Sequence, residues 1–160
     1  MSVTVSLAAQ LALPDFWLPS SSGETVRLSD YRHRVPVALI LLPDEDAAGR
    51  EILRAFAAHY EEYRAWPAEV LAVIAGTQAQ ASHLAEELGL PFPVLADAEG
   101  DVWRKHIGER RPALLILDRY NALHHIQVAA VAADLMSPTE ALEWIRHAEM
   151  ACPECGVPEW

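Results

Sequence analysis

The run from Val35 to Leu42 constrains the fold most, because every side chain in it is apolar. A strand that is apolar on both faces has to be covered by other elements on both faces. Val70 to Ala75 and Ala113 to Leu117 have the same character, and segments with helical patterns lie between the apolar runs. This alternation predicts an α/β fold in which a central mixed β-sheet is flanked by helices.

The predicted helices are marked by apolar spacing and by cap residues. The longest has apolar residues at helical intervals, and the last begins at a capping box with proline in the first helical position. Gly89 suits the left-handed end of a helix. The predicted ranges are Ala47 to about Ala65, with the stripe Ile52, Phe56, Tyr60 and Tyr63, then Gln78 to Leu88, Glu99 to His106, and Pro138 to about Ala151.

Two features complete the predicted sheet. Pro14 to Leu18 and Thr25 to Leu28, joined by a Ser/Gly turn, predict an N-terminal β-hairpin. Ala122 to Val131 is expected to form an edge strand, on which His124 and His125 point to opposite faces as surface or half-buried residues. Tryptophans are expected in core or interface packing, and they are Trp17, Trp66, Trp103 and Trp144.

Composition limits the classes of partner. With 160 residues, 52% of them hydrophobic, the chain suits one domain, which we place at residues 1–151, followed by a tail at 152–160. The net charge of −11 disfavours nucleic acid and anionic membrane surfaces, which attract clustered Lys and Arg. No run is long enough to span a membrane and the start lacks a basic leader, so we expect a cytoplasmic protein.

The chain has two cysteines, Cys152 and Cys155, spaced as Cys-x-x-Cys beyond the last predicted helix. This spacing fits a reversible disulfide, half of a zinc site, or two reduced thiols without chemistry. A helix C-terminus raises a thiol pKa, which favours slow exchange with a partner protein over fast attack. Zinc would need two more ligands, supplied by a second chain in a homodimer or by two of His124, His125 and His147.

Three segments carry a family resemblance. They are Pro14-Asp15-Phe16-x-Leu18 with the following Gly23 to Tyr31, then Leu90 to Gly100, and Pro112 to Asp118. In this order and spacing they resemble the peroxiredoxins of the alkyl hydroperoxide reductase/thiol-specific antioxidant family. The resemblance implies a thioredoxin-like fold over roughly residues 11–147.

The resemblance also assigns an active-site position. The family carries Pro-x-x-x-Thr-x-x-Cys at the junction of a strand and a helix, and here the matching residues are Pro43, Ala47 and Arg50. Pro112 falls where the family has a second arginine, and it also matches the cis-proline of thioredoxin-like proteins. An arginine cannot attack a peroxide. The resemblance therefore implies a peroxiredoxin-like pocket that lacks orthodox peroxidase activity.

Two functions follow as expectations. The first is a thiol-disulfide redox protein of antioxidant type, without a cofactor, in which Cys152 and Cys155 are the redox centre and a tail anchored by Trp160 brings them toward Arg50. The second is a non-catalytic binding or scaffold domain whose zinc is shared across a dimer. Arg50 itself is expected either to bind an anion or to pair with the neighbouring carboxylates, which are Asp44, Glu45 and Asp46.

Overall fold

The computed structural model describes residues 3–6 and 12–150. Eight strands run through it: β1 (Val3–Ser6), β2 (Trp17–Pro19), β3 (Thr25–Arg27), β4 (Val37–Leu42), β5 (Glu69–Ile74), β6 (Val94–Ala96), β7 (Ala113–Leu117) and β8 (Leu123–Val128). The helices are α1 (Ala47–Ala58), α2 (Tyr60–Ala65), α3 (Gln78–Leu88), α4 (Asp101–His106) and α5 (Pro138–Met150). Short 3₁₀ turns occupy Leu28–Tyr31 and Ala132–Asp134.

A six-stranded mixed sheet organises the domain in the order β1-β8-β7-β4-β5-β6. Strands β4, β5 and β6 are parallel, whereas β7 is antiparallel to β4, and β8 to β7. Strands β2 and β3 form the separate N-terminal hairpin. The predicted α/β class, the central mixed sheet and the hairpin are therefore confirmed.

Both faces of the sheet are covered, as the apolar strands predict. Ala38, Ile40 and Leu42 of β4 pack against α1, α2, α3 and α5. The alternate residues, Val37, Leu39 and Leu41, face the hairpin side and α4, where Trp103 is fully buried. Because successive side chains of a strand point to opposite faces, this one strand contributes to both halves of the core.

The predicted single helix from Ala47 to Ala65 is wrong in its continuity. The helix is interrupted at His59, whose backbone angles leave the helical region, and α2 resumes at Tyr60. In the predicted apolar stripe, Phe56, Tyr60 and Tyr63 are nevertheless buried, and Ile52 is half-buried. Two side chains of α2 then form hydrogen bonds with other elements. The Tyr60 hydroxyl donates to Glu69, and the Tyr63 hydroxyl donates to the carbonyl of Pro138 at 2.6 Å.

The predicted edge strand is also wrong in its place. Strand β8 lies between β7 and β1, so β1 forms this edge of the sheet, a short strand that the sequence pattern did not indicate. His124 and His125 are consequently buried, with exposed fractions of 8% and 1%, rather than at the surface. Trp17 is 65% exposed and does not belong to the core; the Arg27 guanidinium lies over its ring.

Candidate functional site

Helix α1 begins at the carboxyl end of β4, where the resemblance assigns the active site. Pro43 follows β4 directly, and the helix starts at Ala47 with Asp46 as its N-cap. The parallel strand β5 ends beside β4 and leads into α3. A cavity of about 170 Å³ lies between these two strand ends and is lined by Pro43, Asp44 and Glu45 among others.

The first turn of α1 is capped by a carboxylate. Asp46 Oδ1 accepts from the Gly49 amide at 2.7 Å, and the Asp46 carbonyl accepts from the Arg50 amide. Gly49 is buried, and a Cβ there would lie 3.1 Å from Asp46 Oδ1. Asp46 thus accepts from two amides of this turn and places a negative charge at its start, which is the arrangement a helix N-terminus favours.

Arg50 is held by two carboxylates. Its Nη1 lies 2.9 Å from Glu45 Oε1, and its Nη2 lies 2.7 Å from Glu87 Oε1 on α3. Hydrogen bonding to Glu87, more than the nearby charge of Glu45, raises the pKa of Arg50 and lowers the pKa of Glu87 in return. The expected ion pair with Glu45 is present, whereas Asp46 acts as the helix cap and Glu87 was not predicted.

Pro112 reaches the same end of the sheet, since β7 begins at Ala113 opposite Leu41 of β4. The match to a cis-proline is wrong, because no peptide bond among the described residues is cis. In its trans form Pro112 accepts a backbone hydrogen bond from Ala129 and so continues the pairing of β7 with β8. Arg111, beside it, is exposed and paired with Glu109. Pro43, Ala47, Arg50 and Pro112 are therefore neighbours in space without forming a catalytic set.

The other end of the sheet receives the C-terminus of α5. The last turn of this helix is tied to the loop after β7, because the Arg119 guanidinium and amide both donate to Glu149. The Arg146 guanidinium lies 5.3 Å from the ring of Trp66, a residue that precedes β5. β7 ends where β4 starts, so Met150 lies at the end of the sheet opposite Arg50.

Cys152 and Cys155 lie outside the described residues, and so does the predicted docking of Trp160. Their point of attachment is nevertheless defined by Met150. Strand β4 has six residues and separates the two ends by about 17 Å. The hypothesis that the tail brings Cys152 and Cys155 toward Arg50 stays a prediction.

The three candidate histidines are in different surroundings. His124 Nε2 lies 2.8 Å from Asp118 Oδ2, inside the turn between β7 and β8. His125 stacks on Trp144 at 3.9 Å, and neither of its ring nitrogens has a hydrogen-bond partner among the described residues. His147 is exposed on α5. Within the described ranges, no three His, Cys, Asp or Glu side chains are placed to hold a metal ion.

Burial determines the titration of the Asp118 and His125 side chains. Desolvation raises the pKa of Asp118, but hydrogen bonds from His124 and from the amides of Ala122 and Tyr120 outweigh it, and the net pKa is lowered. Desolvation alone lowers the pKa of His125. Asp118 is therefore an ionised structural residue, and His125 is a neutral ring beneath α5.

No helix among residues 12–150 is long and apolar enough to cross a membrane.

Comparison with known proteins identifies a family whose sequence model this chain matches. Residues 9–126 match the model of the AhpC/TSA family. Peroxiredoxin Q of the chloroplast of Triticum aestivum is 34% identical over 96 residues, which are 59% of this chain and 43% of the wheat protein. The matched stretch therefore spans less than half the length of that relative.

Solved structures share the fold. A peroxidoxin, BcpB, from Mycobacterium tuberculosis superposes with a TM-score of 0.74 at 18% identity, over 86% of this chain and 96% of that one. A cysteine-to-serine mutant of Xanthomonas campestris peroxiredoxin Q gives 0.70 at 13% identity, over 86% and 92%. These likenesses agree with the thioredoxin-like arrangement of the sheet and helices described above.

Proposed function

The chain belongs to the AhpC/TSA family, and from that premise we propose that it is a thiol-disulfide redox protein whose redox centre is the pair Cys152 and Cys155. The observation that carries the proposal is the environment of Arg50. The resemblance places the family's cysteine at this residue, which is bound by Glu45 and Glu87. The sequence supplies sulfur for thiol chemistry at 152 and 155 alone.

The start of α1 is a poor place for a thiolate in this chain. A reactive cysteine uses the free amides and positive end of a helix to lower its pKa. Here the Gly49 amide is taken by Asp46, and Asp44 and Glu45 line the adjoining cavity. Ala47 also has no hydroxyl to orient a peroxide. We therefore assign no peroxide reduction to this end of the sheet.

The proposed reaction is thiol-disulfide exchange with a partner protein. A thiolate of the pair attacks the partner's disulfide, a mixed S–S bond forms, and the partner's other sulfur leaves as a thiolate. The second cysteine then attacks the mixed disulfide and releases the partner's remaining sulfur. Two electrons pass to the partner, whose two thiolates take up the two protons that the pair gives up.

The position of α5 fits a slow exchange. The thiols follow a helix C-terminus, whose negative dipole end raises a thiol pKa. Glu149 lies in the last turn of α5 and would add to this effect, but its charge is offset by its ion pair with Arg119. The pair is attached at the end of the sheet away from Arg50. In our proposal it therefore meets a partner without help from the α1 pocket.

Counting thiols and metal on protein purified without chelator tests the proposal. We expect two free thiols per chain, no zinc, and a reversible loss of both thiols in buffers of increasing oxidising potential. Cys152→Ser and Cys155→Ser are the matched variants, and each should abolish the two-electron step. About half a zinc per chain with both thiols blocked would contradict the redox assignment and favour a metal site shared between two chains.

A further inference from the structure

A second cavity lies at the end of the sheet opposite Arg50. It has a volume of about 370 Å³, compared with about 170 Å³ for the cavity beside Pro43. Its lining combines two basic and two acidic residues with a tyrosine and three apolar residues. They are Asp30, Tyr31, Arg34, Val35, Arg64, Pro67, Ala68 and Glu69.

The charged groups of this cavity do not pair with one another. None of the ion pairs of the described residues joins Arg34 or Arg64 to Asp30 or Glu69. Six of the chain's eleven arginines do pair with carboxylates. They are Arg50, Arg54, Arg104, Arg111, Arg119 and Arg146.

Both the basic and the acidic side chains of this cavity retain atoms that form no hydrogen bond within the part of the chain that the structure describes. In the described structure, the Arg34 guanidinium and the Tyr31 hydroxyl have no hydrogen-bond partner, and Arg64 has one long contact, 3.4 Å to the Tyr60 hydroxyl. Asp30 accepts from the Arg27 amide through Oδ2, and Glu69 accepts through Oε1. Each carboxylate therefore keeps one oxygen that accepts no hydrogen bond from described residues. Both cations and both anions remain available to a ligand.

We propose that this cavity binds a small peptide-like zwitterion, whose carboxylate lies between Arg34 and Arg64 and whose ammonium group faces Asp30 and Glu69. A ligand with a single charge could form charge-assisted hydrogen bonds with only one of the two pairs. A zwitterion satisfies both pairs and needs no net positive surface, which suits a chain of net charge −11. Val35, Pro67 and Ala68 supply an apolar wall for the part of the ligand between its charges.

Glycylglycine and two blocked forms of it are the probes for this site. N-acetylglycylglycine lacks the ammonium group, and glycylglycinamide lacks the carboxylate. Binding is followed at constant ionic strength by the amide NMR shifts of residues 31–35 and 67–69, with the start of α1 as internal reference. We expect saturable shifts for glycylglycine and binding at least about tenfold weaker for each blocked form, because each loses charge-assisted hydrogen bonds.

Protein variants assign each charge of the ligand. Arg34→Gln with Arg64→Gln should weaken glycylglycine binding and remove the preference for it over the amide. Asp30→Asn with Glu69→Gln should remove the preference over the acetylated form and keep the acceptor oxygens of the fold. Arg32→Gln with Arg54→Gln is the control, since it deletes the same charge from exposed arginines outside the cavity.

Three results would overturn the proposal. They are the absence of saturable shifts for glycylglycine, equal binding of glycylglycine and its blocked forms, and an equal loss in the control variant, which would indicate diffuse electrostatics. None of these depends on Cys152 or Cys155, so this site and the redox assignment can fail separately.

Discussion

The two ends of the central sheet differ in how their charges are used. At the carboxyl end of β4, Asp46 caps α1 and Arg50 is bound by Glu45 and Glu87. At the opposite end, Arg34 and Arg64 share a cavity with carboxylates to which they do not pair, and α5 delivers the thiol-bearing tail. The comparison teaches that the junction of β4 and α1 can keep its geometry while its charged side chains bind one another and the helix cap.

The largest expected effect is on stability, and it differs between two aspartates that accept hydrogen bonds from backbone amides. One of them lies at each end of the central sheet. Asp118 is buried and accepts from the Tyr120 and Ala122 amides and from His124. Asp118→Ala should cost about 3 kcal/mol of unfolding free energy, because it leaves these donors unsatisfied. Asp46→Ala, an exposed helix cap, should cost about 1 kcal/mol. Urea unfolding measures both, and equal losses would contradict the contrast in burial.

The second effect concerns His125 beneath α5. Burial lowers its pKa below 6.5, so the folded protein keeps the ring neutral while the unfolded chain takes up a proton. This contribution to stability is complete above pH 6.5 and declines as the pH falls below it. Between pH 7 and pH 5 the wild type should lose more unfolding free energy than His125→Leu does. The exposed-residue control His83→Leu should follow the wild type; if His125→Leu also does, His125 is not buried neutral.

A third test places a thiol at the start of α1. Arg50→Cys in a Cys152→Ser, Cys155→Ser background should give a thiol pKa at or above ~8.5, the free value, because Asp46 occupies the helix cap and Glu45 and Glu87 lose their cation. Thiolate absorbance against pH measures it. A pKa well below 8.5 would mean that this end still activates a sulfur, and the contrast between the two ends would weaken.

The smallest effect tests how α5 is fixed. Glu149→Gln keeps the shape of the side chain and removes its charge from Arg119. We expect a loss below about 1 kcal/mol, since the arginine is half exposed, together with faster amide hydrogen exchange over residues 147–150. The control is Glu143→Gln, which removes an exposed pair with Arg146. Equal exchange in the two variants would show that the Arg119 contact does not hold the helix end.

The sequence predicted the fold from local patterns that burial reinforces. Apolar runs such as Val37 to Leu42 have one low-energy environment, and the Ser137 capping box marks where α5 begins. The break at His59 was not predicted, because neither proline nor glycine marks it in the sequence. The residues that follow it bond to distant parts of the chain, as Tyr63 does to Pro138. Strand β1 was missed because it is four residues long and its pairing with β8 is not local.

The candidate site was predicted in part for the same reason. The ion pair of Arg50 with Glu45 follows from nearness along the chain, and the structure contains it. Glu87 lies 37 residues away on α3, so its contact depends on how α1 and α3 pack, which no sequence pattern specifies. The cavity of Arg34, Arg64 and Glu69 likewise joins three separate segments, and its residues look like ordinary surface charges until the sheet brings them together.

The central claim is that the start of α1 no longer carries the peroxide chemistry for which the family is named. The most direct measurement is the stopped-flow rate of hydrogen peroxide consumption by the reduced wild type beside its Cys152→Ser variant. We predict that both turn over slowly and that the wild type is no faster than the variant. Rapid turnover that the variant retains would contradict the claim, whereas rapid turnover that the variant loses would assign peroxide reduction to Cys152.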